Sequence, residues 1–142
     1  MKELLEIGLQ IGGYSLALLC IASFWIPKIL RWKENVAALP PLLRELWWTY
    51  SFYVWSSHVF FSVLTLGFGE WLMSGSSSAI VMNTFMLLWW SVRLYLQFFG
   101  FDFSEITNNK FNCIAKHMLT LLFIGLVILF GGLICWNLGW LS

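Results

Sequence analysis

The segment that decides the fold is residues 89–102, WWSVRLYLQFFGFD, which closes a long apolar stretch and carries a charge within it. That charge is Arg93. An arginine at the centre of a lipid-spanning helix costs about 2.5–3.5 kcal/mol on insertion scales, and less toward an interface. A protein that keeps such a residue either gives the guanidinium a partner or lets it reach the headgroups. The stretch therefore predicts a membrane span, and Arg93 marks where a polar site would have to be.

The composition of the whole chain agrees with a membrane protein. Of the 142 residues, 60% are hydrophobic and only 11% are charged, whereas a soluble domain is normally about 25% charged. There is too little polar side chain to cover a water-soluble globule, so the surplus apolar surface must face lipid. Ten tryptophans and an aromatic share of 19% are typical of a protein whose rings lie at the membrane interface. The net charge of +1 gives no reason to expect a nucleic-acid partner.

Four apolar stretches are long enough to cross a bilayer, since a span needs about 20 residues. Residues 69–78 and 101–112 between them are predicted to be loops. The predicted fold is therefore all-α, a single transmembrane domain over residues 1–142 that forms an integral membrane four-helix up-down bundle. The predicted spans are residues 5–26, 46–68, 79–99 and 113–136.

The connections contain signals for helix starts and for one additional helix. Residues 28–39 mix charged and apolar side chains and could lie on the membrane surface as a short amphipathic helix. Proline suits the first turn of a helix, so the second helix is expected to begin near Pro41. Ser78 is expected to cap the third helix, and Asn109 or Asn112 the fourth.

Positive charges near the spans predict the orientation. Most lysines and arginines lie in the connections 27–45 and 100–112 or just beyond them, whereas residues 69–78 and the C-terminal tail have none and the N-terminus has only Lys2. We therefore expect a multi-pass protein of the cell (inner or plasma) membrane, with connections 27–45 and 100–112 cytoplasmic and both termini outside.

Helical spacing indicates which faces turn inward. In the first span, Gly8 and Gly12 form a pattern of small residues that permits another helix to approach closely. A polar stripe in the second span recurs every three or four residues and is expected to face the protein interior. The third span has a comparable face. The stripe in the second span is Ser51, Trp55, His58, Ser62 and Thr65, and the face in the third is Met86, Trp90, Arg93, Gln97 and Gly100.

The polar residues near the cytoplasmic side could form one binding site. In the predicted orientation Arg93, Gln97 and Asp102 follow one another toward the cytoplasm, and His117 lies about one turn into the fourth span. One interpretation is structural: Arg93 reaches the headgroups or pairs with Asp102. The other is an inward-facing Arg93, assisted by Gln97, that binds an anionic headgroup, a carboxylate or a quinone carbonyl.

The two histidines also have two interpretations each. His58, near mid-membrane, could hydrogen-bond a neighbouring helix, or it could be a haem ligand. His117 could be an interfacial histidine at a helix start, a proton carrier or a ligand. Two axial ligands of one haem b should be nearly level, and the inferred depths differ by roughly 10 Å. A metal at His58 or His117 is therefore expected only if haem is present, and no other metal site is predicted.

The sequence has no recognisable set of residues for enzymatic chemistry. No carboxylate lies in the core of a span, and no nucleophile–base–acid set, metal-ligand motif or phosphate-binding loop is present. Cys20, Cys113 and Cys135 lack ligand or redox spacing, so buried inert thiols are expected. The chain resembles the small membrane enzymes that handle glutathione and eicosanoids in size only, because their charged motif on the second helix is missing.

We therefore expect a non-enzymatic accessory or interaction subunit that packs against membrane lipids, other membrane protein subunits or a second copy of itself. The alternative is a bundle that binds a hydrophobic ligand, either a quinone or a lipid. A haem b protein is the third interpretation. The residues predicted to line a ligand pocket are Arg93, Gln97, His117, His58, Trp90 and Asp102.

Overall fold

The computed structural model describes residues 1–104 and 109–141, and every regular element in them is a helix. The all-α prediction is thereby confirmed. Four helices are long: α1 (Lys2–Ala22), α4 (Pro41–Gly67), α6 (Ser77–Tyr95) and α7 (Lys110–Asn137). Three are short, namely α2 (Ile26–Ile29), α3 (Trp32–Ala37) and α5 (Gly69–Leu72), and a π-helical turn (Leu96–Gly100) extends α6.

The helix boundaries differ from the predicted ones at identifiable points. The first connection holds two short helices instead of one, because Arg31 has a left-handed backbone (φ 48°) that separates α2 from α3. Ser76, and not Ser78, caps α6, since its side chain accepts a hydrogen bond from the Ala79 backbone N–H. The loop predicted over 69–78 contains α5. Residues 105–108 of the second predicted loop lie outside the described residues.

Three helices are long and apolar enough to cross a membrane, and this agrees with the expectation of a membrane protein. The helix α4 is not among them, although it has 27 residues, because its polar stripe lowers its mean hydropathy. The second predicted span, residues 46–68, therefore stays a prediction. The three candidate spans are Lys2–Ala22, Ser77–Gly100 and Lys110–Asn137.

The first helix lies between two others, in contact with α4 and with α7, while α7 also contacts α6. Glycines make these approaches close. A Cβ added to Gly8 or Gly12 would lie 2.9 or 3.0 Å from the side chain of Leu129 on α7. A Cβ on Gly13 would lie 2.5 Å from Leu66 on α4. The predicted close approach at the small residues of the first helix is thus confirmed, and it involves two partner helices.

The helices α4 and α6 meet through large aromatic side chains. The Phe61 ring of α4 lies 5.4 Å from the Trp89 ring and 6.0 Å from the Trp90 ring of α6. Aromatic pairs at such distances stabilise a fold by about 0.5–1.5 kcal/mol beyond the area they bury. All four long helices contribute to one core, whose buried members include Leu9, Leu16, Phe61, Met86, Trp90, Phe123, Leu126 and Phe130.

The connection between α4 and α6 is fastened to the end of α7 by side-chain hydrogen bonds. The Asn137 amide donates to the Leu72 carbonyl (2.7 Å) and its oxygen accepts from the Gly75 backbone N–H (3.1 Å). The Trp136 indole N–H donates to the Met73 carbonyl (3.3 Å). These bonds satisfy backbone groups at and just after the end of α5, so the end of α7 holds this connection in place.

Candidate functional site

The polar stripe of α4 faces the interior, as predicted. The Trp55 indole N–H donates to the Cys20 carbonyl (3.2 Å), and the Ser62 hydroxyl donates to the Gly13 carbonyl (3.0 Å). Both acceptors belong to α1, so these two side chains fasten α4 to that helix. His58, in the middle of the stripe, is only 4% exposed and turns toward α6 instead.

His58 belongs to a group of planar side chains, which we call the planar cluster: His58, Trp90, Phe123 and Arg93. The His58 ring is stacked on Trp90 with 5.3 Å between ring centres and 26° between planes. The Trp90 ring is stacked on Phe123 at 5.6 Å and 28°. The guanidinium carbon of Arg93 lies 5.8 Å from the centre of the Phe123 ring, a cation–π contact. The planar cluster therefore joins α4, α6 and α7.

Buried nitrogen atoms in and beside the planar cluster have no hydrogen-bond partner. They are His58 Nε2, Trp90 Nε1, Arg93 Nε and Nε1 of the adjacent Trp89. The other buried side-chain polar atom without a partner in the described part of the chain is Asn83 Oδ1. Each such group left unpaired costs about 1–3 kcal/mol. Because four of them belong to neighbouring side chains, these side chains form the candidate site.

Gln97, the next polar residue on this face of α6, already has a partner. The π-helical turn carries it, its side chain is buried, and its amide donates to the Thr120 hydroxyl of α7 at 3.3 Å. Thr120 in turn donates to the Lys116 carbonyl. Such π-helical turns are frequent at functional sites. Here the turn places Gln97 against α7, one helical turn beyond Arg93.

Asp102 does not reach the planar cluster. It is exposed, and one of its carboxylate oxygens accepts the Ser104 backbone N–H at 2.9 Å. This bond lowers the pKa of Asp102 below its ordinary value, because it stabilises the charged form. An Arg93–Asp102 ion pair, one of the structural interpretations, is not formed. Within the described residues the observed ion pair is Lys2–Glu6, at 3.6 Å.

The two histidines lie in different environments. His58 is enclosed by Trp90 and by Trp89, whose ring stands edge-on at 6.5 Å, whereas His117 is on an exposed part of α7. The residues that the structure describes contain no group of three or more His, Cys, Asp or Glu side chains arranged for a metal ion. The arrangement therefore adds no support to the haem interpretation.

Two cavities lie elsewhere in the described residues. One, of about 280 Å³, is at the end of α7 and is lined by residues that include Met73, Trp136 and Asn137. The other, of about 530 Å³, is an open apolar depression beside the start of α6, lined by residues that include Trp71 and Phe85. Neither of these two cavities includes a predicted site residue.

The predicted site residues thus divide into two groups. The structure brings Arg93, Trp90 and His58 together and places Gln97 next to them, but it leaves Asp102 and His117 exposed. Sequence reasoning missed Phe123, which links Trp90 to Arg93, and Trp89. Phe123 follows Lys116 by two helical turns within an apolar run, and nothing in that run distinguishes it from its neighbours.

Similarity to known proteins does not assign a role to these residues. No protein-family model matches the chain, and no curated protein or solved structure is significantly similar to it. The geometry of the planar cluster and the character of the surface are therefore the basis for a functional proposal.

Proposed function

We propose that the chain crosses the cell membrane with all four long helices and acts there as a non-enzymatic accessory or interaction subunit. The observation that carries the proposal is the outer surface of the long helices, where many large apolar side chains are exposed. Leu18 on α1, Val81 on α6 and Ile128 on α7 are 67%, 69% and 69% exposed. An apolar surface of this extent needs lipid or protein to cover it.

Two features of α4 support its role as a span in addition to the three candidates. With 27 residues it is about 40 Å long, enough for the hydrocarbon core. Trp55 and Ser62 of its polar stripe bond α1 and His58 faces α6. On the other side of the helix, Phe52, Phe60 and Val63 are exposed. A lipid-facing surface of apolar residues and an inner polar stripe are what a span of modest hydropathy requires. Four spans in up-down order would place both termini on the same side, which the positive charges of the connections assign to the outside.

The outer face of α7 supports a role in interaction. A Cβ added at Gly125 would have nothing within 4 Å, while Leu121 and Ile128 on either side are exposed. A glycine between large side chains forms a shallow groove into which a second helix can pack. The partner proposed is another membrane subunit or a second copy of this chain.

Solubilisation in a mild detergent, followed by native mass measurement, tests this role. We expect an assembly larger than one chain, which Gly125→Leu weakens because the groove is filled. Val81→Leu, on the exposed face of α6, is the matched control and should leave the assembly intact. A monomer at every protein concentration would contradict the proposal. Separately, a C-terminal reporter found on the cytoplasmic side would contradict the proposed orientation.

One observation favours a second candidate, a bundle that binds a quinone or a lipid. It is the set of unpaired buried nitrogens at His58, Trp89, Trp90 and Arg93, which a ligand oxygen would satisfy. Solvent extraction of the purified protein should then yield a stoichiometric quinone or lipid. A protein that carries neither contradicts this candidate. A Soret band in the same preparation would instead support haem b, for which the geometry offers no support.

A further inference from the structure

We infer that the planar cluster selects an anion, namely the carboxylate or phosphate head of an amphiphile held between α4, α6 and α7. The inference rests on the second candidate function, ligand binding, and adds the charge class of the ligand. It concerns the head alone, because the polar groups that carry it belong to the neighbouring side chains of Arg93, His58, Trp89 and Trp90.

The positive charge of Arg93 is the first reason to expect an anion. Its side chain is half-buried and its guanidinium lies over the Phe123 ring, a contact weaker than an ion pair with a carboxylate. The predicted spans 46–68, 79–99 and 113–136 contain no aspartate or glutamate. Asp102, nearby along the chain, is exposed and bonded to the Ser104 backbone. A cation in a membrane interior needs an opposite charge beside it, and a bound anion would supply one.

The unpaired nitrogens are mostly hydrogen-bond donors, which is the second reason. Trp89 Nε1, Trp90 Nε1 and Arg93 Nε are donors only, so any partner must be an acceptor. His58 Nε2 can serve as a donor when the ring carries its proton there. Trp90 is fully buried and His58 is 4% exposed, so bulk water does not reach them. Carboxylate and phosphate oxygens are acceptors with several lone pairs, and they match the guanidinium fork.

The charge of the head distinguishes an anionic amphiphile from a quinone. A quinone carbonyl accepts hydrogen bonds, but it is neutral and leaves the charge of Arg93 uncompensated. An anionic head satisfies both the donors and the charge. The neighbouring Val92 is 57% exposed on the apolar outside of α6, so an acyl chain could lie there while the head reaches Arg93 from the bilayer.

Native mass spectrometry of the full-length protein in a neutral detergent tests the inference. The probes are oleate, a phosphatidylglycerol and a phosphatidylcholine with the same acyl chains, and ubiquinone. We expect one oleate or phosphatidylglycerol per chain, retained at an activation that removes phosphatidylcholine. Arg93→Gln should reduce this binding at least tenfold, and Trp90→Phe, which keeps an aromatic ring but removes the N–H, several-fold. The matched controls are Arg44→Gln, an exposed arginine, and Trp136→Phe, whose N–H bonds Met73.

The outcomes separate the inference from the candidate function on which it rests. Oleate alone identifies a carboxylate ligand and phosphatidylglycerol alone a phosphate ligand, and either supports the inference. Ubiquinone bound in preference to both overturns the anion but leaves ligand binding standing. Equal retention of phosphatidylcholine, or binding unchanged in Arg93→Gln and Trp90→Phe, overturns the inference. Absence of every probe overturns the candidate function as well. If Arg93→Gln fails to fold, as judged by circular dichroism, Trp90→Phe decides.

Discussion

Replacing Gly13 by alanine should loosen the packing of α1 against α4. A Cβ at this position would lie 2.5 Å from both Cγ and Cδ2 of Leu66 and 3.4 Å from the backbone nitrogen of that residue. The branch carbon of a leucine cannot move away without a change in its whole side chain, so the new methyl group must push the helices apart. The Ser62 hydroxyl donates to the Gly13 carbonyl at 3.0 Å, and this hydrogen bond would then lengthen and weaken.

The magnitude follows from three contributions. Overpacking of this kind costs about 1–3 kcal/mol, and a weakened interhelical hydrogen bond in a membrane adds about 0.6 kcal/mol. The higher helix propensity of alanine offsets up to about 1 kcal/mol. We therefore expect Gly13→Ala to lower the free energy of unfolding by roughly 0.5–2.5 kcal/mol.

Reversible unfolding of the full-length protein in bicelles, followed by far-ultraviolet circular dichroism, measures this change. Gly131→Ala is the matched control, since its new methyl group meets nothing within 4 Å, and its stability should equal or exceed that of the wild type. In a Leu66→Ala background the clash disappears, so Gly13→Ala should cost at least about 1 kcal/mol less there. The reasoning is refuted if Gly13→Ala is as stable as Gly131→Ala, or if its cost persists in the Leu66→Ala background.

Two further predictions concern the ends of the helices. Asn137→Ala removes the bonds to the Leu72 carbonyl and the Gly75 N–H and should cost about 1–2 kcal/mol in the same unfolding assay; wild-type stability would contradict the role of this residue as a fastener. The carboxylate of Asp102 should titrate below its ordinary pKa in carbon-13 NMR, because it accepts the Ser104 N–H. This turn is therefore formed above the ordinary pKa and is lost as the pH falls through the lowered one, and a carboxylate with an ordinary pKa would show that the bond does not form.

Periodicity predicted the inner face of α4 because the polar groups of a largely apolar helix find hydrogen-bond partners inside the protein and not in lipid. Trp55 and Ser62 found acceptors on α1, and His58 turned toward α6. The sequence could not predict which neighbouring helix each would contact, because helical spacing defines a face and not the partner opposite it. That choice depends on the glycines of α1, which let α4 and α7 approach on two sides.

The ends of the short helices and of α6 depend on local backbone and side-chain geometry, which hydrophobic periodicity does not predict. Residues 76–78 are three consecutive serines, and each is an adequate cap. Ser76 is the residue whose side chain receives the Ala79 N–H, a choice that depends on the path of the chain after α5. Similarly, Arg31 adopts a left-handed backbone that this residue type rarely takes, so nothing in its type announced the break between α2 and α3.

Depth counted along the chain separated His58 from Arg93, yet the structure connects them through two rings. Three successive contacts of 5.3, 5.6 and 5.8 Å lead from His58 to Trp90, Phe123 and Arg93. Large planar side chains extend far from their own backbones, so residues predicted at different depths can belong to one group. Counting residues therefore places backbones at a level but does not predict which aromatic side chains meet.

The direction of Arg93 was nevertheless implied by its neighbours on the same helix. Met86 and Trp90 share its face and are fully buried, and Gln97 beyond it is 5% exposed. A helix cannot turn one of these residues outward without exposing the others. An arginine that only reached for headgroups would fit better among the exposed residues of α6, such as Leu88. Its position between Trp90 and Gln97 therefore favours a partner inside the protein, and the unpaired nitrogens around it mark where that partner would lie.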